Sequence, residues 1–323
     1  MEELNTFIAE WRNDKDYIEA HTSGSTGVPK TIHLNKDDMR TSARATCRFF
    51  GIDSRSTIGM ALSASYIAGK MMTVRALESG ARLVTADVSK ETDISGIPGV
   101  IDLFAIVPAQ IDSFISHPEW AGKVRNLLIG GAAPSDEALH ALSLLGYTAW
   151  VSYGMTETCS HVALARGDDS RRVFRAMPGI TFSSTEDGRL IINAPAFSFG
   201  ALTTNDIVEL LSPERFCWRG RADGVINSGG IKFVPEELEK QFAPHIQGRF
   251  YITHIADQVW GQAIALVAEE GTEDSIAVSL RENVADHRRL PKRIFIISRL
   301  PEASNGKIRR LSPDNPKFHE YEN

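Results

Sequence analysis

Between residues 35 and 155, short apolar runs alternate with stretches of helical spacing, and this alternation narrows the fold more than any other feature of the chain. Thr57–Leu62, Arg82–Ala86, Leu103–Val107 and Asn126–Ile129 read as buried strands. Helices are expected between them. One runs through Lys36–Phe50, capped by Asn35 and stopped by Gly51; a second covers Ala68–Ser79 and ends at Gly80. Two more follow Pro108 and surround Ser135–Leu145. Strands separated by helices predict a parallel sheet covered on both faces, hence an α/β fold.

From about residue 172 the character changes. Thr181–Ser184, Leu190–Asn193 and Ile207–Leu211 are short runs punctuated by Gly and Pro, which suggests a small antiparallel β unit. Beyond Gly220 come a helix near Pro235–Phe242, strands near Phe250–His254 and Ile264–Ala268, a helix through Asp274–Val284 and a strand at Arg293–Ile297. The expected organisation is a large N-terminal α/β domain with its small β unit over residues 1–220, then a small, mobile α+β domain over 221–323. A chain of 323 residues suffices for two cores.

Composition removes several classes of function. With 42% hydrophobic and 24% charged residues, disorder is not the default. The 35 basic residues are outnumbered by 41 acidic ones, and a net charge of −6 argues against a nucleic-acid partner. Cys47, Cys159 and Cys217 show no CxxC spacing, so neither a disulfide scaffold nor a structural zinc site is expected. The polar start MEELNTFIAEWRNDKD is no signal peptide, and there is no apolar run of about 18 residues to span a membrane. A cytoplasmic location without a membrane partner follows as the expectation.

The segment Thr22-Ser23-Gly24-Ser25-Thr26-Gly27-Val28-Pro29-Lys30 concentrates hydroxyls, two glycines and a lysine. Gly24 and Gly27 permit close backbone approach, and successive N–H groups joined by hydroxyls make an anion site. Lys30 adds a full positive charge, while Pro29 before it excludes a Walker A loop. This loop resembles the phosphate loop of the adenylate-forming superfamily of acyl- and aryl-CoA ligases, luciferases and nonribosomal adenylation domains. Three further segments match in order: Tyr153-Gly-Met-Thr-Glu-Thr158, Gly220-Arg-Ala-Asp-Gly-Val-Ile-Asn-Ser-Gly-Gly230 with Pro235-Glu-Glu-Leu-Glu239, and Asn305-Gly-Lys307-Ile-Arg309.

The resemblance implies a carboxylate attacking the α-phosphorus of ATP to give an acyl-adenylate, which then passes to coenzyme A. An ionised carboxylate needs no general base, so positioning and charge stabilisation carry the catalysis. By the same resemblance Glu157 holds Mg²⁺ and Thr156 contacts phosphate. Tyr153 stacks on adenine, with Gly131, Ala132 and Ala133 forming the wall behind it. Asp206 binds ribose, with Asn205 replacing the family's glycine in a turn that Asn can adopt through left-handed backbone. Arg221 touches ribose or phosphate, and Lys307 brings its ammonium to the reacting phosphate. Asp223 is the implied hinge, and Gly230 and Lys232 lie where the CoA thiol and phosphates enter. The strip 281–310, with nine Lys/Arg and three Asp/Glu, could attract CoA phosphates.

For the acid, a pocket lined from Ala64–Arg75, Val107–Gln110 and the residues after Glu157 is expected, with Tyr66, Lys70 and His161 as the candidate contacts. Lysine, histidine and the nearby Arg166 put positive charge among apolar residues, which suits a substrate with a second carboxylate. The chain resembles short o-succinylbenzoate–CoA ligases of menaquinone biosynthesis, with Lys70 as the partner for the second carboxylate or the keto group. About twenty residues precede the phosphate loop where family members commonly carry a hundred or more. Much of the first subdomain is therefore expected to be reduced, and a homodimer contact is one way to cover an exposed sheet edge. Two other readings stay open: an aryl- or amino-acid-adenylating enzyme loading a carrier protein, and a non-catalytic nucleotide-binding relic.

Overall fold

The computed structural model describes residues 2–22, 30–302 and 308–321. The chain forms two compact units, the first made of Met1–Ser183, Ile191–Thr203 and Leu210–Cys217, the second of Ser184–Leu190, Thr204–Glu209 and Trp218–Asn323.

The chain opens with α1 (Glu2–Arg12), an element not anticipated above, although Leu4, Phe7 and Trp11 stand at helical spacing. Strands β1 (Tyr17–Thr22) and β2 (Lys30–Asn35) form an antiparallel pair, with Thr22 opposite Lys30. Next come α2 (Lys36–Phe50), β3 (Thr57–Met60), α3 (Ile67–Ser79), β4 (Arg82–Thr85), β5 (Leu103–Ile106), α4 (Ile111–Ser116), β6 (Leu127–Ile129), α5 (Asp136–Leu144) and β7 (Ala149–Gly154). The start and stop signals act as expected. Asn35 accepts the Asp37 N–H at 2.7 Å, and Gly51 closes α2 in left-handed backbone at φ 66°. Phe7 and Trp11 bury their rings against Ile18, Leu34, Met39, Met71 and Val74, a cluster that fixes α1 to β1, β2, α2 and α3.

Strands β4, β3, β5, β6 and β7 are parallel neighbours, as the alternating pattern predicts. The expected buried strand Arg82–Ala86 is instead the exposed edge strand β4, paired on one side only and open at both ends. The small β unit continues the same sheet. Strand β8 (His161–Arg166) turns back antiparallel on β7, then β9 (Val173–Ala176) on β8, and the sheet continues through β13 (Arg215–Arg221), β12 (Gly200–Ser212), β11 (Arg189–Ala194) and β10 (Thr181–Ser184). Local patterning shows strands but not their partners, because pairing across residues 150–220 is non-local.

In the second unit β14 (Ile226–Ser228), β15 (Ile231–Phe233), β16 (Phe250–Asp257), β17 (Gly261–Ala268) and β18 (Arg293–Ile296) form one sheet. Helices α6 (Pro235–Phe242) and α7 (Glu273–Asn283) bury Leu238, Phe242, Ile276 and Leu280 together with Ile252, Ile264 and Leu266 of that sheet. This is the expected α+β arrangement. Among the described residues no helix is long and apolar enough to cross a membrane.

Candidate active site

In an open parallel sheet the crevice beyond the carboxyl ends of the strands is the natural ligand site, and in the first unit several predicted residues meet there. Just past β6, a Cβ on Gly130 would lie 2.6 Å from Ser152 Oγ, and Gly131 has φ +85°. Ala132 and Ala133 continue this small-residue turn. Tyr153, near the end of β7, stands edge-on to Phe216 at 5.0 Å and tilted to Phe174 at 5.6 Å, so its ring is braced by other aromatics.

Beyond β7 the backbone is tightly constrained. Thr156–Thr158 makes a 3₁₀ turn that leaves Glu157 exposed and buries Thr158. The Thr158 hydroxyl accepts the Met155 N–H at 3.0 Å and donates to the Ser160 carbonyl at 2.7 Å. Cys159 then adopts φ 61° and ψ −38°, and the Ser160 N–H reaches back to the Thr158 carbonyl at 2.7 Å. That is a γ-turn of the strained, positive-φ kind at a non-glycine residue, which costs about 1–3 kcal/mol. A Cβ on Gly154 would overlap the Ser160 carbonyl, which explains the glycine of this motif. Strand β1, which leads into the phosphate-loop segment, packs beside the turn. Ser23, Gly24, Ser25, Thr26 and Gly27 lie outside the described residues, and so does Lys307; Thr22 and Lys30 are placed by their backbone pairing alone.

Among the described residues no three His, Cys, Asp or Glu side chains gather into a metal cage. A single exposed carboxylate at Glu157 fits Mg²⁺ nonetheless, since that ion commonly binds one or two carboxylates, substrate phosphates and its own waters.

The charged groups expected in the acid pocket are arranged otherwise than the sequence suggests. Lys70 donates to Glu10 of α1 at 3.1 Å and lies 4.7 Å from the Phe7 ring centroid, while Tyr66, at the start of α3, is 68% exposed. His161 contributes no positive charge: burial, with Arg75 beside it, holds its pKa well below the ordinary value. Arg166 pairs with Asp168 at 2.8 Å and stacks over Trp150.

Arg75 closes the stretch expected to line the acid pocket, but the sequence does not single it out as a charge partner. It is 2% exposed, and burial lowers its pKa to about 10. One guanidinium nitrogen donates to Ser160 Oγ at 2.7 Å and another faces the Met72 sulfur at 3.4 Å. Its Nε is buried without a hydrogen-bond partner, and no carboxylate pairs with it among the described residues. The available signal was an arginine between Val74 and Ala76 on a helix whose neighbours Met71, Met72 and Val74 are apolar.

In the second unit Asp206 is 7% exposed and accepts the Trp218 indole N–H at 3.1 Å. Arg221 lies 3.8 Å from Asp206 and binds Asp223 with two hydrogen bonds of 3.0 and 2.7 Å, which hold the Asp223 carboxyl below its ordinary pKa. Asn205 departs from expectation. It lies within the continuous strand β12, and the non-glycine residues with positive φ among those described are Cys159 and Arg172. Gly229 and Gly230, at φ 59° and 83°, form the two-residue turn of the β14–β15 hairpin, and a side chain at 229 would meet Trp260. Lys232 follows, exposed on β15.

A parallel-sheet crevice with a small-residue wall, a braced tyrosine and an exposed carboxylate suits a nucleotide, and the chain belongs to the AMP-binding enzyme family, which it matches over residues 11–186. Within that class it is similar to 2-succinylbenzoate–CoA ligase of Listeria monocytogenes, at 24% identity over 90% of this chain and 68% of the relative. It is also similar to probable 2-succinylbenzoate–CoA ligase of Mycobacterium tuberculosis, at 26% identity over 94% of this chain and 85% of the relative. Among solved structures, an acyl-CoA synthetase (AMP-forming)/AMP-acid ligase II-like protein of Dyadobacter fermentans matches with TM-score 0.64 and 29% identity, covering 98% of this chain and 93% of the other. O-succinylbenzoate–CoA synthetase of Bacillus subtilis, in complex with its acyl-adenylate intermediate, shares the fold at TM-score 0.77 and 20% identity, covering 92% and 68%.

Proposed function

We propose that the protein is an ATP-dependent acid–CoA ligase that converts o-succinylbenzoate into its CoA thioester. The observation that carries the choice of acid is Arg75, a buried cation without a carboxylate partner among the described residues, two side chains away from the Glu157 turn through Ser160. A buried charge of this kind is strongly destabilising unless an anion meets it. The second carboxylate of a diacid supplies that anion, whereas a simple fatty acid does not. Because Lys70 is already matched by Glu10, the role of second-carboxylate partner passes to Arg75.

In the first half-reaction a substrate carboxylate oxygen bonds to the α-phosphorus of ATP, and the bond from that phosphorus to the bridging oxygen breaks to release pyrophosphate. Lys30 and the hydroxyls of residues 22–26 are assigned to the phosphates, Thr156 to the same chain of oxygens, and Lys307 to the charge developing at the α-phosphate. Glu157 would hold Mg²⁺, which would supply positive charge against the leaving pyrophosphate. Tyr153 and Gly131–Ala133 hold adenine, and Asp206 with Arg221 holds ribose. In the second half-reaction the CoA sulfur bonds to the acyl carbon and AMP leaves, with Gly230 and Lys232 on the approach and Asp223 as the hinge. The proposed domains are residues 1–220 and 221–323.

Pyrophosphate release measured with a panel of acids, with and without CoA, tests the reading. Release with o-succinylbenzoate and thioester formation with CoA support it. Release with amino acids and no CoA product makes the protein a carrier-loading enzyme, and nucleotide binding without release makes it a relic.

A further inference from the structure

We infer that Thr46, His161 and Ser160 form a directional hydrogen-bond relay that fixes the Arg75 guanidinium for the acid's second carboxylate, so that His161 is a positioning residue and not a substrate ligand. The inference rests on the assignment of Arg75 above and concerns what stands behind it.

The direction of the relay follows from the donors available. Thr46, 1% exposed on α2, donates its hydroxyl to the Ser42 carbonyl at 3.1 Å. With its proton used there, its oxygen accepts from the ring nitrogen 3.1 Å away, and the inferred relay has His161 protonated on Nε2. This leaves Nδ1 as an acceptor, and the Ser160 hydroxyl lies 3.5 Å from it, the longest link of the chain. The Ser160 oxygen in turn takes the Arg75 N–H at 2.7 Å. In this arrangement the Thr46 and Ser160 hydroxyls and the ring N–H each have one acceptor, with the ring neutral. Burial of His161 beside the Arg75 cation keeps the ring neutral.

The relay joins α2, α3 and the start of β8. Ser160 is held from the other side by the γ-turn at Cys159, so its hydroxyl has little freedom to follow a drifting guanidinium. A long arginine side chain carries much rotamer freedom, and fixing it before the acid arrives removes that cost from binding. Lys70 has no comparable support behind it, since its contacts are Glu10 and the face of Phe7.

The test uses the full-length enzyme and two acids, o-succinylbenzoate and 4-oxo-4-phenylbutanoate, which is the same molecule without the aromatic carboxylate. His161→Phe keeps a ring of similar size and removes both nitrogens. It is expected to raise KM for the diacid by about tenfold, the scale of a loosened charged hydrogen bond, with kcat and the KM for ATP and for the monoacid unchanged. His161→Gln, whose amide can both donate and accept, should recover most of the loss. Thr46→Val should act like His161→Phe, and Thr46→Ser like wild type; if His161→Phe does not fold, the Thr46 pair decides. Unaltered diacid preference in His161→Phe and Thr46→Val overturns the relay and leaves Arg75 in place. A wild-type enzyme that treats the two acids alike, or Arg75→Gln without effect on the diacid, overturns the assignment of Arg75 itself.

Discussion

Arg75 and Lys70 stand five residues apart on one helix and have opposite circumstances. Lys70 has found Glu10, sixty residues away in sequence, whereas Arg75 has serine, a thioether and a bare Nε. Replacing a buried, poorly matched charge with an apolar residue of similar length commonly stabilises a fold by about 1–4 kcal/mol. Arg75→Met is therefore expected to raise the midpoint of chemical unfolding in the absence of acid while weakening the diacid's KM; loss of both stability and affinity would contradict the account of Arg75. His161 gives a pH signature. Its folded pKa lies well below 6.5, so the unfolded chain takes up a proton first as pH falls, and the stability associated with the neutral ring is present above about pH 6.5 and lost below it. The stability difference between wild type and His161→Gln should shift against wild type as pH falls from about 6.5 toward about 5, as read by denaturant titration at each pH. Of this, the sequence suggests only that the stretch ending at Arg75 lines the pocket. A charge in an apolar stretch marks a place that needs explaining, but its partner is set by the fold, and the reading of the sequence therefore settled on Lys70.

Elements were far more legible where a local chemical signal ends them. Asn35, Gly51, Ser135 and Gly80 each bound a helix where expected, because caps answer to backbone groups within a few residues. Strand existence was readable too, but not strand partnership, which is why the neighbours of β10, β11 and β12 were left unassigned and β4 was taken for a buried strand. Helix α1 escaped notice because its polar residues hide a narrow stripe of Leu4, Phe7 and Trp11. Of the candidate site, the Tyr153–Thr158 segment was legible as a motif, yet its mechanics were not: the glycine is required by the Ser160 carbonyl that would meet any side chain there. Gly154→Ala is expected to cut pyrophosphate release by at least about tenfold, since misplacement of catalytic groups by about 1 Å can cost about a hundredfold. Circular dichroism should show the sheet retained. Full activity in Gly154→Ala would mean that the turn tolerates rebuilding.

On the scale of the whole molecule, the membership in the AMP-binding enzyme family and the two compact units suit a reaction in two stages. Lys307→Ala should slow acyl-adenylate formation by about 10²–10³, as loss of a transition-state charge partner does. Thioester formation from preformed acyl-AMP should remain near wild type, and equal losses in both stages would refute the division of labour between them. A last consequence comes from the γ-turn at Cys159. Glu157 and Ser160 stand on either side of it, and in the proposed site the first is assigned to the metal–nucleotide and the second, through Arg75, to the acid. Settling either side restricts its counterpart, so the two ligands should bind with synergy, and thermodynamic reciprocity requires each to tighten the other by the same factor. Calorimetric titrations of acid into enzyme with and without a non-hydrolysable magnesium nucleotide, and of that nucleotide with and without acid, would measure this factor from both directions.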